Sequence, residues 1–275
     1  MNKLTNTGSR VIRPAGSRQR MPGVLAEKAP EVPGILADGT LPVALIPVGN
    51  PLPVIIPKWN NENPTDYVEF RIIKDAPPTD PLIDGTVVEE GEAGPINDRP
   101  VQVEVTPDWL VEDQSVPGPA TYYIWAVIYL ADINPIETLP TKIIVDRTAP
   151  YQNKATSVKA QAKVADWPLD LLNNPINDTF IQNNPGGLVM TIPKDYDNPL
   201  PPPYGDTYKL WMSVTYSATP TFLPVISGEL PVDGKVTIPI AEVAKLLGQS
   251  VYVWYQLTDF AGNTSNTSVP AGKSV

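Results

Sequence analysis

The chain has 275 residues, of which 42% are hydrophobic, 18% are charged and 34 are proline, a composition that favours short strands joined by loops over long surface helices. A formal net charge of −10 argues against nucleic-acid binding by the body of the protein, because phosphate contacts require clustered lysine and arginine. The chain contains no cysteine and no histidine, which excludes disulfides, thiolate and imidazole metal ligands, and catalysis by either residue type, and we expect no cofactor.

The amino-terminal part of the chain is basic and then apolar. We predict that residues 1–37 form an extended arm, which is either a solvated tether or a segment that docks on an acidic surface. Five cations precede the first acidic residue, Glu27: Lys3, Arg10, Arg13, Arg18 and Arg20. The candidate assembly segment contains these arginines and the apolar residues Val32, Ile35, Leu36, Leu41, Val43 and Leu45. Its apolar part would add a strand to an open sandwich edge of a neighbouring subunit.

No stretch of the sequence approaches the roughly 20 apolar residues of a membrane-spanning helix. The basic amino terminus is not followed by the apolar core, about 7 to 15 residues long, of a signal peptide. We therefore expect neither a membrane span nor a recognisable amino-terminal signal peptide, so an extracellular or cell-surface location would require a different export signal, a removed segment or cell lysis.

Four segments of the first half recur in the second half in the same order. Residues 55–58, 66–72, 101–105 and 122–134 match residues 191–194, 207–213, 235–239 and 251–263. This order, with loops of differing length, indicates an internal duplication. We predict a first domain over residues 38–148 and a second over residues 149–275.

The most hydrophobic segment of each half is predicted to be a central strand. In VYVWYQLTDFAGN, which begins at Val251, alternate side chains are apolar or aromatic on both faces, as in the middle of a sheet. We predict that Trp125 and Trp254, with Tyr123 and Tyr252, mark the cores of two antiparallel sandwiches. The alternative is that the tryptophans form an exposed platform on which a carbohydrate stacks.

Helical structure is expected only between strands. Residues 240–248 follow a proline, contain good helix formers and end at glycine, so they predict one short helix. Residues 107–113 are its expected counterpart in the first half.

Two further motifs carry a resemblance to a known family. VDRTAP at residues 145–150 joins a finishing strand to the next repeat, and DFAGNTS at residues 259–265 ends the last central strand. With these motifs the sequence resembles the arrays of bacterial immunoglobulin-like or fibronectin type III-like domains found in large surface and secreted proteins, over about residues 38–275. The resemblance implies an all-β fold of two tandem antiparallel immunoglobulin-like β-sandwiches preceded by the arm, and it supplies no catalytic residues.

Several functions are compatible with such modules, which serve as spacers, adhesins, fibre subunits and phage decorations. The leading hypothesis is a non-enzymatic structural or adhesive module that binds other protein subunits or a surface ligand, and that self-associates through its arm. The alternative is a carbohydrate-binding or virion-decoration module, for which the aromatics to examine are Trp59, Trp167 and Tyr204.

Two kinds of chemistry remain as remote alternatives. A glycoside hydrolase would need paired carboxylates, and four acidic residues are predicted to crowd one loop: Glu89, Glu90, Glu92 and Asp98. A calcium site is the other remote alternative, since no run matches a spaced calcium loop; the acidic residues considered for it are Asp195, Asp197, Asp206 and Asp259.

Overall fold

The computed structural model of the chain describes residues 26–46, 50–116, 118–130, 135–196 and 205–274, together with the backbone of residues 2–3. The chain divides into two compact units. The first sandwich comprises Met1–Asp113 and Pro119–Asp146, and the second comprises Gln114–Gly118 and Arg147–Val275. Within the described residues, no helix is long and apolar enough to cross a membrane.

The first sandwich consists of two sheets. Its strands are β1 (Asn2–Lys3), β2 (Leu52–Ile56), β3 (Tyr67–Lys74), β4 (Thr86–Glu92), β5 (Val101–Val105), β6 (Ala120–Tyr129), β7 (Ile136–Glu137) and β8 (Thr141–Val145). One sheet has the order β1-β5-β2, and the other has the order β4-β3-β6, with β7 and β8 both paired to β6. Short 3-10 helices span Val43–Leu45, Ile96–Asp98 and Pro107–Trp109.

The second sandwich repeats this arrangement. Its strands are β9 (Gln152–Asn153), β10 (Val158–Lys159), β11 (Leu188–Thr191), β12 (Thr207–Ser213), β13 (Ile226–Glu229), β14 (Lys235–Ile238), β15 (Ser250–Thr258) and β16 (Ala271–Ser274). A four-stranded sheet β13-β12-β15-β16 accompanies the pair β11-β14, and β9 and β10 form a separate hairpin. The order reproduces β4-β3-β6-β8 with β2-β5, so both units are immunoglobulin-like or fibronectin type III-like sandwiches and the chain is all-β.

The helices lie in connections of the second sandwich. Helix α2 (Ile240–Ala244) follows Pro239 and occupies part of the predicted range. Helix α1 (Asp178–Asn183) was not predicted. The side chain of Asn177 caps it by accepting a hydrogen bond from the Phe180 amide, and Phe180 and Ile181 pack against the core of the second sandwich. This short helix is therefore held by its cap and by two apolar contacts, without a long apolar periodic pattern. A further 3-10 helix spans Leu169–Leu171.

The core of each sandwich lies between its two sheets. In the first, residues that alternate along β5 (Val101, Val103 and Val105) face β3 and β6 side chains such as Phe70 and Ile124. In the second, Met190 and Val236 on the β11-β14 pair belong to one cluster with Val253 and Tyr255 of β15. The alternation of buried and outward side chains is the period-2 pattern expected of strands with one face on a core.

Part of the predicted arm belongs to the first sandwich. Glu31 pairs with Ile55 of β2, and Thr40 pairs with Ile144 of β8. Val32 and Leu41 are buried in the core of this sandwich, Ile35 and Leu45 pack against it, and Leu36 and Val43 are partly buried. Residues 26–46 therefore run along the open edges of both sheets and fill the core, which corrects the prediction that the arm lies outside the sandwich up to residue 37. The four arginines of the candidate segment, Arg10, Arg13, Arg18 and Arg20, lie outside the described residues.

Strand register corrects two of the four sequence matches by one residue. Leu52 pairs with Val105 in the first sandwich and Leu188 pairs with Ile238 in the second, so Val105 corresponds to Ile238 and not to Pro239. In the same way, Arg71 opposite Trp125 corresponds to Trp211 opposite Trp254, and not to Met212. Because side chains alternate between faces, a shift of one residue exchanges the core and the outer positions of a strand.

We predict that limited proteolysis cuts the chain within residues 146–156 and leaves a stable fragment that contains the second sandwich. The reason is that each unit has its own buried core, and segments between such units are preferred sites of cleavage. Mass spectrometry of the trypsin products over time is the measurement. Progressive degradation without a stable carboxyl-terminal fragment would show that the second sandwich does not fold alone.

Candidate functional site

Trp125 lies on the outer face of β6 and not between the sheets. It is completely buried in a separate small cluster with Leu82 and Val127, covered by the β3–β4 loop at residues 75–85. Its Nε1 donates to the carbonyl oxygen of Pro81 at 2.8 Å. The prediction that this tryptophan fills the sandwich core is therefore wrong in its placement, because a loop folds over the outer face and makes a second apolar layer there.

Trp254 occupies the corresponding position in the second sandwich. Its ring stacks on Trp211 at a centroid distance of 6.4 Å. The rings of Tyr216 and Phe222 are nearly perpendicular to it, at centroid distances of 5.4 and 6.1 Å. Trp211 Nε1 donates to the Phe222 carbonyl oxygen at 3.0 Å, which ties the β12–β13 loop (residues 214–225) to the sheet. Trp254 is completely buried and so presents no face to a ligand.

The two tyrosines predicted in the cores are also on outer faces. Tyr123 and Tyr252 each lie two residues before the tryptophan of their strand, and therefore on the same face. Tyr123 is partly buried, whereas 38% of the surface of Tyr252 is exposed. Tyr252 is thus not a core residue; its strand partner on one side is Gly272, which has no side chain to cover the ring.

Exposed apolar side chains near this face come from the carboxyl-terminal part of the covering loop. Phe222 is 45% exposed and Leu223 is 87% exposed. The other aromatics selected from the sequence are not exposed in this way. Trp59 is buried, Trp167 is partly buried against the core of the second sandwich, and Tyr204 lies outside the described residues.

A buried aspartate stands immediately before β3 and before β12. Asp66 accepts hydrogen bonds from Trp59 Nε1 at 2.9 Å and from the Asn63 amide at 2.8 Å. In the second sandwich, Asp206 accepts a hydrogen bond from the Tyr196 hydroxyl. In both units an aromatic donor from the preceding loop thus holds a carboxylate at the start of the strand. The sequence signal was an aspartate before each matched strand with an aromatic upstream, and the sequence interpretation missed the pairing.

Burial raises the pKa of Asp206 above its ordinary value, although the Tyr196 hydrogen bond and the charge of Lys194 partly oppose this. Burial likewise raises the pKa of Tyr196, so the tyrosine remains a hydrogen-bond donor at neutral pH. A neutral or charged Asp206 can accept this bond. The arrangement fastens the loop and leaves the carboxylate inaccessible to a substrate.

We predict that Asp206→Asn stabilises the second sandwich relative to wild type increasingly as pH rises from about 3 to 7. A carboxyl whose pKa is raised in the folded state binds its proton more tightly there, so its contribution to stability is present at acid pH and is lost as pH rises through the folded-state pKa. Asparagine lacks this charge and keeps an oxygen for Tyr196. Thermal unfolding across this pH range, with Asp170→Asn as a control for the change in net charge, is the measurement. A difference in melting temperature that shrinks with rising pH would contradict the assignment.

Glu69 and Arg71 form a buried ion pair on the outer face of β3. Arg71 Nη2 lies 2.5 Å from Glu69 Oε2, and Arg71 Nη1 donates to the Asp84 carbonyl oxygen at 2.9 Å. The Tyr129 hydroxyl donates to the same Glu69 oxygen at 3.2 Å. Arg71 lies opposite Trp125, so this ion pair forms the polar part of the layer under the β3–β4 loop.

The acidic residues considered for glycoside hydrolysis do not crowd one loop. Glu89, Glu90 and Glu92 lie on strand β4, and Asp98 lies in a 3-10 helix after it. Glu89 and Glu90 are neighbours on a strand and so project to opposite faces. Glu89 Oε2 accepts a hydrogen bond from the Glu104 amide of β5 at 2.9 Å, which joins the edges of the two sheets.

The acidic residues considered for calcium are engaged in local bonds. Asp259 accepts hydrogen bonds from the amide and the side chain of Asn263 at 2.8 and 2.9 Å and thereby closes the turn after β15. Asp195 pairs with Lys163, and Asp197 lies outside the described residues. The described part of the chain contains no group of three or more acidic, histidine or cysteine side chains arranged to hold a metal ion.

Comparison with protein families and with curated proteins gives no match. Solved structures with a similar arrangement include the fibronectin(III)-like modules of Clostridium thermocellum CbhA, at 12% identity and a TM-score of 0.38, covering 88% of this chain and 90% of that one. A 1.5-MDa bacterial ice-binding adhesin is similar at 14% identity and a TM-score of 0.36, covering 90% of this chain and 64% of that one. The FN1–FN3 domains of chicken CNTN1 are similar at 12% identity and a TM-score of 0.31, covering 92% and 69%.

Proposed function

We propose that this chain is a non-enzymatic structural or adhesive module of a bacterial surface or secreted assembly. The observation that supports the proposal is that carboxylates and a tryptophan, residue types that serve catalysis or binding elsewhere, hold the fold together here. Asp66 and Asp206 hold aromatic donors, Glu89 holds an amide of the opposite sheet, and Trp254 lies under a loop. Such residues stabilise two sandwiches, and recognition is left to loops, strand edges and residues 1–25.

The proposal includes self-association through residues 1–25. This segment carries five cations and no acidic residue, and once their charge is removed from −10 the remainder of the chain has a net charge of −15. Val32 and Leu41, which the sequence interpretation assigned to a neighbouring subunit, are buried in the chain's own core. In this proposal the intermolecular contact is therefore made by residues 1–25, and its electrostatic part is weakened by salt.

We expect full-length protein to self-associate at low ionic strength and a variant lacking residues 1–25 to remain monomeric. Light scattering and sedimentation velocity at increasing protein concentration and at two salt concentrations measure this. A deletion of residues 1–37 is the contrasting variant, because it also removes Val32 and the pairing of Glu31 with Ile55 and should lower the melting temperature of the first sandwich. Full-length protein that is monomeric at the highest concentration would remove self-association from the proposal.

The second candidate function is ligand binding on the outer face of the second sandwich. The observation that favours it is the exposure of the loop residues Phe222 and Leu223 and of Tyr252 on the sheet, because large exposed apolar and aromatic side chains can form a recognition surface. A glycan array probed with wild type and with Leu223→Ser tests it. Binding that is specific and lost in the variant would establish this function beside the structural one.

A further inference from the structure

In the first sandwich, the side formed by β4 and β5 is closed by a glutamate. Glu89 is paired with Phe70, a core residue, so its side chain projects to the inner side of the sheet. From there it accepts a hydrogen bond from the Glu104 amide. An inward charged side chain at an edge is one of the ways in which proteins prevent another strand from pairing there.

The remaining outward position of β5 is occupied by the amino terminus of the chain. Strand β1 runs parallel to β5, with Asn2 beside Val101 and Lys3 beside Gln102. Gln102 and Glu104 are two residues apart and thus present their backbone groups to the same edge. Both outward positions of β5 therefore have partners, one from the amino terminus and one from Glu89.

In the described residues of the second sandwich, neither an inward glutamate nor an added strand is present at the corresponding side. Ile226 pairs with Leu210 as Glu89 pairs with Phe70, so an apolar side chain stands where the first sandwich has the glutamate. By the strand register, Lys235 and Thr237 of β14 correspond to Gln102 and Glu104. The Lys235 amide donates to Asp233 Oδ1 at 3.0 Å, which places it outside the ladder with β11.

Thr237 follows Lys235 by two residues and so directs its amide to the same outer edge. Thr237 is exposed, and outside the ladder with β11 no described residue accepts a hydrogen bond from its amide. Among the described strands, only β11 pairs with β14. The edge at Thr237 is therefore open in the second sandwich at the position that is closed in the first.

We propose that the β14 edge at Thr237 is a strand-acceptor site, and that its occupant is the amino-terminal segment, residues 1–25, of a second copy of this chain. The inference rests on the proposed self-association and specifies its acceptor. Residues 2–3 of this segment already pair with the equivalent strand β5 in their own chain, so the backbone at these two residues is compatible with this kind of edge. Main-chain hydrogen bonds supply the affinity of such strand addition, and the alternating side chains set the register.

Charge and chain length are consistent with this occupant. All five charged side chains of the segment are basic, and the acceptor chain, when its own residues 1–25 are left out, has a net charge of −15. Residues 4–25 separate β1 from the first described residue of the sandwich, Ala26, and an extended chain of this length spans roughly 70 Å. The segment is thus long enough to reach a second molecule while residues 26–46 stay in their own core.

The test compares Thr237→Pro with Thr237→Val in the full-length protein. Proline removes the outward amide at a position where an edge strand tolerates it, whereas valine keeps the amide and the shape of the side chain. We expect Thr237→Pro to weaken self-association at least tenfold, and Thr237→Val to associate as wild type does. Melting temperatures of both variants show whether they are folded.

The outcomes separate this inference from the proposed function. Association that requires residues 1–25 but is unchanged in a folded Thr237→Pro variant would overturn the acceptor site and leave the proposed self-association standing. Wild type that is monomeric at every concentration would overturn both.

A second measurement avoids dependence on the folding of the proline variant. A synthetic peptide of residues 1–25 is added to protein that lacks them, and amide hydrogen exchange is followed by NMR. We expect the peptide to slow the exchange of the Thr237 amide. Protection at Gln102 without protection at Thr237 would mean that the peptide occupies only β5, and would overturn the inference, as would the absence of protection at both.

Discussion

Trp254→Ala is expected to lower the free energy of unfolding of the second sandwich by about 3 to 5 kcal/mol, the usual effect of truncating a large buried aromatic. The indole is completely buried and touches the rings of Trp211, Tyr216 and Phe222. Its removal leaves a cavity beneath the β12–β13 loop, and the bond from Trp211 to the Phe222 carbonyl restrains the loop from filling it. Chemical denaturation followed by circular dichroism is the measurement.

Tyr252→Ala is the matched control for this substitution. Tyr252 lies on the same face of the same strand, two residues from Trp254, but is 38% exposed and loses less contact on truncation. We expect its effect to be less than half that of Trp254→Ala. Equal effects of the two substitutions, or an unchanged stability in Trp254→Ala, would contradict the role given to the layer under the loop.

Arg71→Ala is expected to destabilise the first sandwich by about 3 to 5 kcal/mol, because it leaves the buried carboxylate of Glu69 without its cation. It also removes the hydrogen bond that Arg71 donates to the Asp84 carbonyl, which helps to hold the β3–β4 loop over Trp125. Thermal and denaturant unfolding measure the loss.

The double variant Glu69→Leu/Arg71→Met distinguishes the effect of the unpaired Glu69 charge from the effect of losing the Arg71 contacts with the loop. Replacing both members of a buried ion pair with apolar side chains of similar volume is often neutral, so we expect most of the lost stability to return. If the double variant is as unstable as Arg71→Ala, the hydrogen bond to the loop matters more than the uncompensated charge of Glu69.

The positions of the central strands could be read from the sequence, whereas the side on which their tryptophans are buried could not. Apolar side chains on both faces of β6 and β15 identify strands that are covered on both faces of the sheet. The same pattern arises whether the second cover is another sheet or a loop. Here the cover is the loop after β3 in one sandwich and the loop after β12 in the other, and neither loop has a pattern that predicts its path.

The one-residue errors in matching the two halves have a related cause. The match between Val105 and Pro239 rested on local similarity of sequence, while the pairing of Leu188 with Ile238 depends on hydrogen bonds between strands that are far apart in the chain. Loops of unequal length between the matched strands hide a shift of one residue. Sheet register decides which side chains face the core, and it depends on the pairing of two strands and not on the sequence of one.

The pairing of each buried aspartate with an aromatic donor could not be predicted from the sequence either. Asp206 and Tyr196 are ten residues apart, in loop sequence that had no periodic pattern, and the sequence interpretation placed Asp206 among acidic residues considered for a metal. Only the approach of the loop to the start of β12 brings the hydroxyl to the carboxylate. Its burial, and with it the direction of its pKa shift, follows from that approach.

The sequence by itself determined the all-β class, the two successive sandwiches and the strands at their centres, because alternation with a period of two is a local property of the chain. The tertiary structure alone decided that residues 26–46 complete the first core, that the tryptophans lie outside the cores, and that no described strand covers the edge at Thr237, whose counterpart is closed by Glu89. These features depend on contacts between segments distant in sequence, and a local pattern specifies which face of a strand is apolar without specifying what will cover it.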